Sequence, residues 1–205
     1  MKLRIFSDYI WPFCWIGKGL VDEFKDEFNI KDKWLPYELE PETPPEGRLL
    51  TDKFQPYEIT AMFKNLRQRG HRYGMVYNDH DRASNSHLAL LAGEFAKESG
   101  GFEEFHEKVF QAFFTDSKDI GQLDVILGIV SKSGMNPEKL KQALNDNLYR
   151  DCLNTTMIEA RQLGIRSIPA FVFENNEIIM GALTPEVFKR ALESIQDGTY
   201  IKSIL

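Results

Sequence analysis

One cysteine near the amino terminus has the spacing of a redox motif but lacks its partner. Residues 11–14 read Trp11-Pro12-Phe13-Cys14, whereas a dithiol pair would read Cys-x-x-Cys, so tryptophan holds the first position. In such a pair the helix amino terminus stabilises the first thiolate, and the second cysteine resolves the mixed disulfide. Cys14 has the resolving position. Two-cysteine exchange at this motif is therefore excluded, and Cys14 remains as the candidate catalytic residue.

Two alternatives stay open for each of the two informative side chains. If the Cys14 sulfur faces the helix end, its pKa is lowered and it can act as a single nucleophile. If it packs inward, it is a small buried apolar group. Trp11 either forms a wall of a ligand groove through its indole face or plugs the helix end. Asp8 and Lys18 flank this helix. They either place charge around the thiol or a ligand carboxylate or, as we expect, form a solvated pair.

The elements around the motif predict a βαβ unit. Residues 3–10 have the apolar character of a buried strand. Pro12 is suited to the first position of a helix, whose apolar face then continues at helical spacing to Phe28. Residues 34–39 predict a second strand, parallel to the first. A loop over residues 40–55, rich in Pro, Glu and Gly, follows, and loops of that length are often functional.

The rest of the chain predicts a helical block and a second half of the sheet. Five helical patterns lie between residues 56 and 147, and a sixth covers 148–163. Strands are expected at 168–173 and 177–180, joined by a short polar turn. Thr184 and Pro185 then begin a last amphipathic helix. The helical block is therefore inserted between the two parts of one α/β sheet.

Composition narrows the function classes. The chain has 205 residues and a formal net charge of −6, which argues against nucleic acid as a partner. No run is long and apolar enough for a membrane span, and the amino terminus predicts no secretory signal, so a cytoplasmic location is expected. The two cysteines, Cys14 and Cys152, predict no disulfide framework. The four histidines lack the spacing of a metal site.

Four stretches of sequence together resemble the DsbA-like thioredoxin-fold proteins. Within that family the chain is most similar to the FrnE-like branch, which neighbours 2-hydroxychromene-2-carboxylate isomerases and kappa-class glutathione transferases. The stretches are residues 6–18, residues 37–47, residues 85–92, and residues 164–173 with their continuation at 180–182. The departure is Trp11, where a FrnE-like disulfide enzyme has cysteine and the isomerases and transferases often have a small residue.

The resemblance implies an α/β thioredoxin fold with an all-helical insertion between the βαβ and ββα halves. The thioredoxin-like domain would comprise residues 1–55 and 148–205, and the insertion residues 56–147. It also implies a cis peptide bond between Ile168 and Pro169 that faces the first helix and leaves the Ile168 backbone free to pair with a peptide or with glutathione. Asn85 and His87 would line the cleft, with helix capping as the alternative for Asn85.

Three functions follow from the resemblance and the departure. The first is a thiol-disulfide oxidoreductase relative that holds a small-molecule or peptide thiol or disulfide between residues 11–14 and Ile168-Pro169. The second is a glutathione-dependent isomerase or kappa-type transferase, in which Cys14 need not react. The third is a non-catalytic binding module. No tightly bound cofactor is expected, and glutathione would act as a co-substrate. The sequence does not decide whether the protein forms a homodimer.

Overall fold

Eight α-helices and six strands form the part of the chain that the computed structural model describes, residues 1–199. A π-helical turn, Gln111–Thr115, continues the fourth helix. In chain order the elements are β1 Lys2–Ser7, α1 Pro12–Phe24, β2 Lys31–Pro36, β3 Arg48–Leu49, α2 Pro56–Gly70, β4 Arg82–Ala83, α3 His87–Glu98, α4 Phe102–Phe110, α5 Leu123–Lys132, α6 Pro137–Asn145, α7 Arg150–Gln162, β5 Ala170–Phe173, β6 Ile178–Met180 and α8 Pro185–Gln196.

The central sheet joins the two ends of the chain. Its strand order is β2-β1-β5-β6, with β1 parallel to β2 and antiparallel to β5, and with β6 antiparallel to β5. The helices α2 to α6 lie between the strands of the first half and those of the second half in the sequence. This is the predicted thioredoxin fold with a helical insertion between the βαβ and ββα halves.

Two apolar clusters cover the two faces of this sheet. On one face α1 and α8 pack through a cluster that includes Leu20, Phe24 and Phe188. The other cluster is larger and joins the sheet to the insertion, because it contains Phe6 of β1 as well as Phe110 of α4. The insertion therefore shares a continuous core with the sheet. Within residues 1–199, no helix is both long and apolar enough to cross a membrane.

Several element boundaries differ from the predictions for local reasons. β1 ends at Ser7, because the side chain of the next residue, Asp8, turns inward and accepts hydrogen bonds from the backbone N–H groups of Ile10 and of the distant Leu39. β5 begins at Ala170 rather than at residue 168, since Pro169 has no N–H to donate to a strand partner. The loop 40–55 contains the short strand β3, which pairs with β4. These changes leave the predicted order of elements intact.

Candidate active site at the tip of the first helix

The amino-terminal turn of α1 carries the incomplete motif. Trp11 is the residue before the helix, with extended backbone angles of φ −98° and ψ 110°, and Pro12 occupies the first helical position. The Cys14 N–H donates to the Trp11 carbonyl at 2.9 Å. No side chain caps this end, and its first turn holds no acidic residue. The positive end of the helix is therefore not neutralised by the helix itself, and it can attract an anion.

Cys14 is enclosed. Its side chain has no exposed surface, and burial raises the pKa of its thiol to about 12, although the Ser7 hydroxyl and the Asp8 backbone act in the opposite direction. The thiol is accordingly neutral at pH 7. Of the two alternatives left open by the sequence, the structure shows the inward-facing one. A catalytic role for Cys14 requires the helix tip to open.

Asp8 ties the helix tip to two distant segments. Its buried carboxyl accepts hydrogen bonds from the Leu39 N–H at 2.8 Å, the Ser86 hydroxyl at 3.0 Å and the Ile10 N–H at 3.3 Å. Burial raises the pKa of this carboxyl to about 7. The expectation of a solvated Asp8–Lys18 pair is wrong, since the sequence does not show which segments fold over Asp8.

The Ile168–Pro169 corner meets α1 by direct packing. The peptide bond between the two residues is cis, and both side chains are buried. A Cβ atom at Gly17 would lie 2.9 Å from the Pro169 Cγ atom, so the helix and the corner are in close contact there. That contact lies one to two turns beyond Trp11 along α1. The corner thus supports α1 from inside, and neither of its residues lines the cavity beside Trp11.

Asn85 and His87 are held by internal hydrogen bonds. The Asn85 amide nitrogen donates to the Thr43 carbonyl at 2.5 Å, and its oxygen accepts from the His87 backbone N–H at 2.9 Å. The His87 ring lies 3.0 Å from a Glu38 carboxylate oxygen. Neither side chain lines the cavity beside Trp11. The structure therefore ties Asn85 into the turn just before α3, whose N-cap residue is Ser86, and gives the His87 ring a hydrogen-bond partner in Glu38.

A cavity opens on the outer side of the helix tip. It has a volume of about 50 Å³, and an apolar lining predominates. Its mouth carries the exposed side chains of Leu49 and Phe54. At one edge, Glu40 forms ion pairs with Arg48 and with Lys53. The lining residues are Ile10, Trp11, Pro12, Leu39, Glu40, Arg48, Leu49, Leu50, Lys53, Phe54, Met62, Phe63, His80, Ala83, Phe113 and Phe114.

Trp11 is a wall of this cavity, and the other motif residues stand around it. Its ring packs against Phe13 with centroids 5.8 Å apart, and both side chains are only partly buried. The Pro12 carbonyl accepts a hydrogen bond from the Tyr77 hydroxyl at 3.0 Å, which fixes the tip against the insertion. The structure therefore brings Trp11 and Pro12 to the cavity and places Phe13 beside them.

Arg69 is a site residue that was not predicted, and it reaches the helix tip from the end of α2. Its guanidinium lies 5.4 Å from the centre of the Phe13 ring and donates to the carbonyl groups of Ala182 and Leu183 at 2.5 and 3.0 Å. It forms no ion pair with any carboxylate of residues 1–199. No motif marks this arginine, because its place depends on a contact 113 residues away.

The second cysteine is separate from this site. Cys152 is partly exposed at the start of α7, its thiol donates to a Glu94 carboxylate oxygen at 3.4 Å, and burial raises its pKa to about 11. Both cysteines are free thiols. Among residues 1–199, no three or more His, Cys, Asp or Glu side chains form a group that could hold a metal ion.

Comparison with known proteins agrees with this architecture. A family model described as "DSBA-like thioredoxin domain" matches residues 2–193. The uncharacterized protein YwbO of Bacillus subtilis is 26% identical over 199 residues, which cover 96% of this chain and 98% of YwbO.

Two solved structures show the same fold. One is described as a probable DsbA oxidoreductase, SCO1869 from Streptomyces coelicolor, with a TM-score of 0.88 and 23% identity over 98% of this chain and 92% of that one. The other is a 2-hydroxychromene-2-carboxylate isomerase, with a TM-score of 0.75 and 12% identity over 97% of both chains. The fold likeness thus extends both to a protein described as a probable DsbA oxidoreductase and to an isomerase.

Proposed function

Because the chain belongs to the DsbA-like thioredoxin domain family, we propose that it is a thiol-dependent enzyme whose reacting thiol comes from a bound small molecule of the glutathione class. One observation carries the proposal: the Cys14 thiol is sealed, with a pKa raised to about 12, while the same helix tip opens outward beside Trp11. A thiol that is neutral and enclosed is a poor nucleophile. A thiol supplied by a ligand at the outer side of the tip avoids both obstacles.

The helix tip offers two features that suit such a ligand. Its uncapped first turn attracts a thiolate or a carboxylate. Arg69 brings a cation without a carboxylate partner among the described residues to the neighbouring Phe13 ring. A ligand of the glutathione class has two carboxylates and one thiol. We place its thiol at the amino end of α1 and one carboxylate on Arg69.

The cavity beside Trp11 would then hold a second, apolar reactant. Its aromatic and aliphatic lining favours a group that is transferred from water into the protein. The cavity adjoins the position that we assign to the thiol, so the two reactants would meet at Trp11. This arrangement corresponds to a glutathione-dependent isomerase or transferase. The indole ring of Trp11 would contact both reactants.

Binding of reduced glutathione tests the proposal. By calorimetry, wild type and Cys14→Ala should bind it with dissociation constants that agree within about twofold. Arg69→Met, which keeps the aliphatic stem over Phe13, should bind it about tenfold more weakly, since a charge-assisted hydrogen bond is lost. Arg166→Met is the matched control at an exposed arginine.

Turnover distinguishes the rivals. Reduction of 2-hydroxyethyl disulfide by glutathione should survive Cys14→Ala if the bound glutathione supplies the attacking thiol. Loss of that activity in a folded Cys14→Ala protein would instead assign single-thiol exchange to Cys14, in a form of the protein with the tip open. Absence of glutathione binding to wild type would leave the non-catalytic binding module.

A further inference from the structure

His80 lies where the cavity beside Trp11 meets the segment that leads into β4. Its ring contacts three aromatic side chains of the cavity lining: the ring centroids of Phe63, Phe113 and Phe114 are 5.0, 4.8 and 5.9 Å away. His80 itself lines the cavity. It is therefore a polar group surrounded on this part of the lining by aromatic side chains.

The hydrogen bonds of His80 define which nitrogen is free. The Nδ1 atom lies 2.9 Å from the Arg82 carbonyl oxygen. Because a carbonyl only accepts, Nδ1 carries the proton of this bond. Burial lowers the pKa of His80, so the ring is neutral at pH 7, and Nε2 has a lone pair to offer. This Nε2 atom is buried and has no hydrogen-bond partner within residues 1–199.

A buried acceptor without a donor is costly and uncommon in folded proteins. His80 also lines a second cavity together with Arg82, and its Nδ1 faces the Arg82 carbonyl on that side. We infer that Nε2, which points away from Nδ1, faces the aromatic lining of the cavity beside Trp11. Met62, an unbranched and flexible side chain of that lining, can move to admit a ligand atom to Nε2. The site thus has an aromatic surface and one unused acceptor.

We propose that His80 is the recognition point of this cavity, and that its occupant is a small aromatic group with an O–H or N–H donor. The ring would lie against Phe63 and Phe113, and the donor would bind Nε2. The cavity volume of about 50 Å³ is smaller than the roughly 150 Å³ of an enclosed cavity that holds benzene. Entry of a ring therefore requires the Met62 side chain to move, and the remainder of the ligand would pass Leu49 and Phe54 at the mouth. Such an aromatic donor would be the apolar second reactant. Its role as a reactant, unlike its binding to His80, rests on the proposed function.

Paired probes test this inference without any thiol chemistry. Phenol and toluene have nearly the same shape, but only phenol has a donor. Their dissociation constants can be measured by NMR titration of the labelled full-length protein. In His80→Phe, which keeps an aromatic ring in contact with its neighbours, the preference for phenol relative to toluene should fall by about tenfold from the wild-type value.

Two further variants separate recognition from folding. His80→Gln retains an acceptor near the position of Nε2, and its loss of phenol preference should be smaller than that of His80→Phe. His71→Phe makes the same substitution at an exposed histidine and should leave the preference unchanged. Thermal unfolding of each variant checks that the fold is retained.

An unchanged phenol preference in folded His80→Phe would overturn the inference. So would failure of both probes to bind wild type at the cavity, or chemical-shift changes confined to another part of the molecule. Glutathione binding is measured separately, so a protein that binds phenol through His80 but not glutathione would refute the proposed function and leave this site in place.

Discussion

The two sides of the α1 tip differ in how accessible their side chains are. On the inner side, Cys14 and Asp8 are fully buried, and both have pKa values raised by burial. On the outer side, Trp11 borders a cavity whose mouth carries exposed apolar residues. One helix turn separates the two environments. The family motif marks this turn, and its outer side is the one that borders the cavity beside Trp11.

A cysteine at a motif position is therefore not by itself a reactive thiol. In a dithiol enzyme the exposed first cysteine begins the reaction and the second completes it. Here the first position is Trp11, and the second is Cys14 in its enclosed setting. In this protein the inner side of the arrangement is packed core, and the outer side borders a cavity.

Moving a thiol to the outer side should have the largest effect. At pH 7 an ordinary cysteine with a pKa of about 8.5 is a few per cent thiolate, whereas a pKa of about 12 leaves roughly one molecule in 10⁵ ionised. In a Cys152→Ala background, Trp11→Cys should therefore react with 5,5′-dithiobis(2-nitrobenzoate) roughly a thousandfold faster than its parent.

The control for that variant is Trp11→Cys with Cys14→Ala. The mixed disulfide should persist in this protein, because no second thiol lies one turn away to resolve it. If a folded Trp11→Cys protein reacts no faster than its parent, the two sides of the helix tip do not differ in accessibility. Position 11 would then be as enclosed as position 14.

A smaller effect is expected when the two natural thiols are compared in wild type. Their pKa values of about 12 for Cys14 and about 11 for Cys152 predict a tenfold difference in thiolate at pH 8. The complete burial of Cys14 adds to this, so its alkylation by iodoacetamide should be at least about a hundredfold slower. Peptide mass spectrometry measures both rates in one sample.

Denaturant provides the reference for that comparison. In urea sufficient to unfold the protein, the two cysteines should be alkylated at rates within a fewfold of each other. Equal rates in the native protein would show that the inner side opens readily, and single-thiol chemistry at Cys14 would then gain support.

The smallest effect concerns the pH dependence that Asp8 gives to stability. Its pKa in the folded protein is about 7, above the ordinary value of 3.8, so the folded state binds this proton more tightly than the unfolded state. The contribution of Asp8 is therefore greatest below pH 4 and is lost as the pH rises toward 7. The slope amounts to at most about 1.4 kcal/mol per pH unit in the free energy of unfolding.

Asp8→Asn removes the titrating group and should remove this part of the slope between pH 4.5 and 6.5, as measured by urea unfolding. Asp146→Asn, at an exposed position, should keep the wild-type slope. The free energy of unfolding of Asp8→Asn and of wild type could instead change with pH in parallel. The Asp8 carboxyl would then titrate below this range, and its surroundings would be more polar than its burial indicates.

Much of the fold could be predicted because its signals are local. The apolar face of α1, Pro12 at its start and the capping pair Thr184-Pro185 define elements through neighbouring residues alone. The order of those elements then leaves few ways to build one sheet. Boundaries were less accurate where a distant segment intervenes, as at the end of β1.

The candidate site could be predicted only in part. The sequence placed Trp11 and Pro12 at a helix tip, and the structure places both at the cavity. It gave no signal for Arg69 or His80, since neither belongs to a motif. His87 is the first residue of α3 and Asn85 lies two residues before it, but their side chains form hydrogen bonds with Glu38 and Thr43.

The family, the order of the elements and the exclusion of two-cysteine exchange at residues 11–14 follow from the amino-acid sequence alone. The enclosure of Cys14, the raised pKa of Asp8 and the positions of Arg69 and His80 beside the motif follow from the folded arrangement. The physical reason is that desolvation and hydrogen bonding depend on segments that fold together from afar: Ser86 lies 78 residues from Asp8, and Ala182 lies 113 from Arg69.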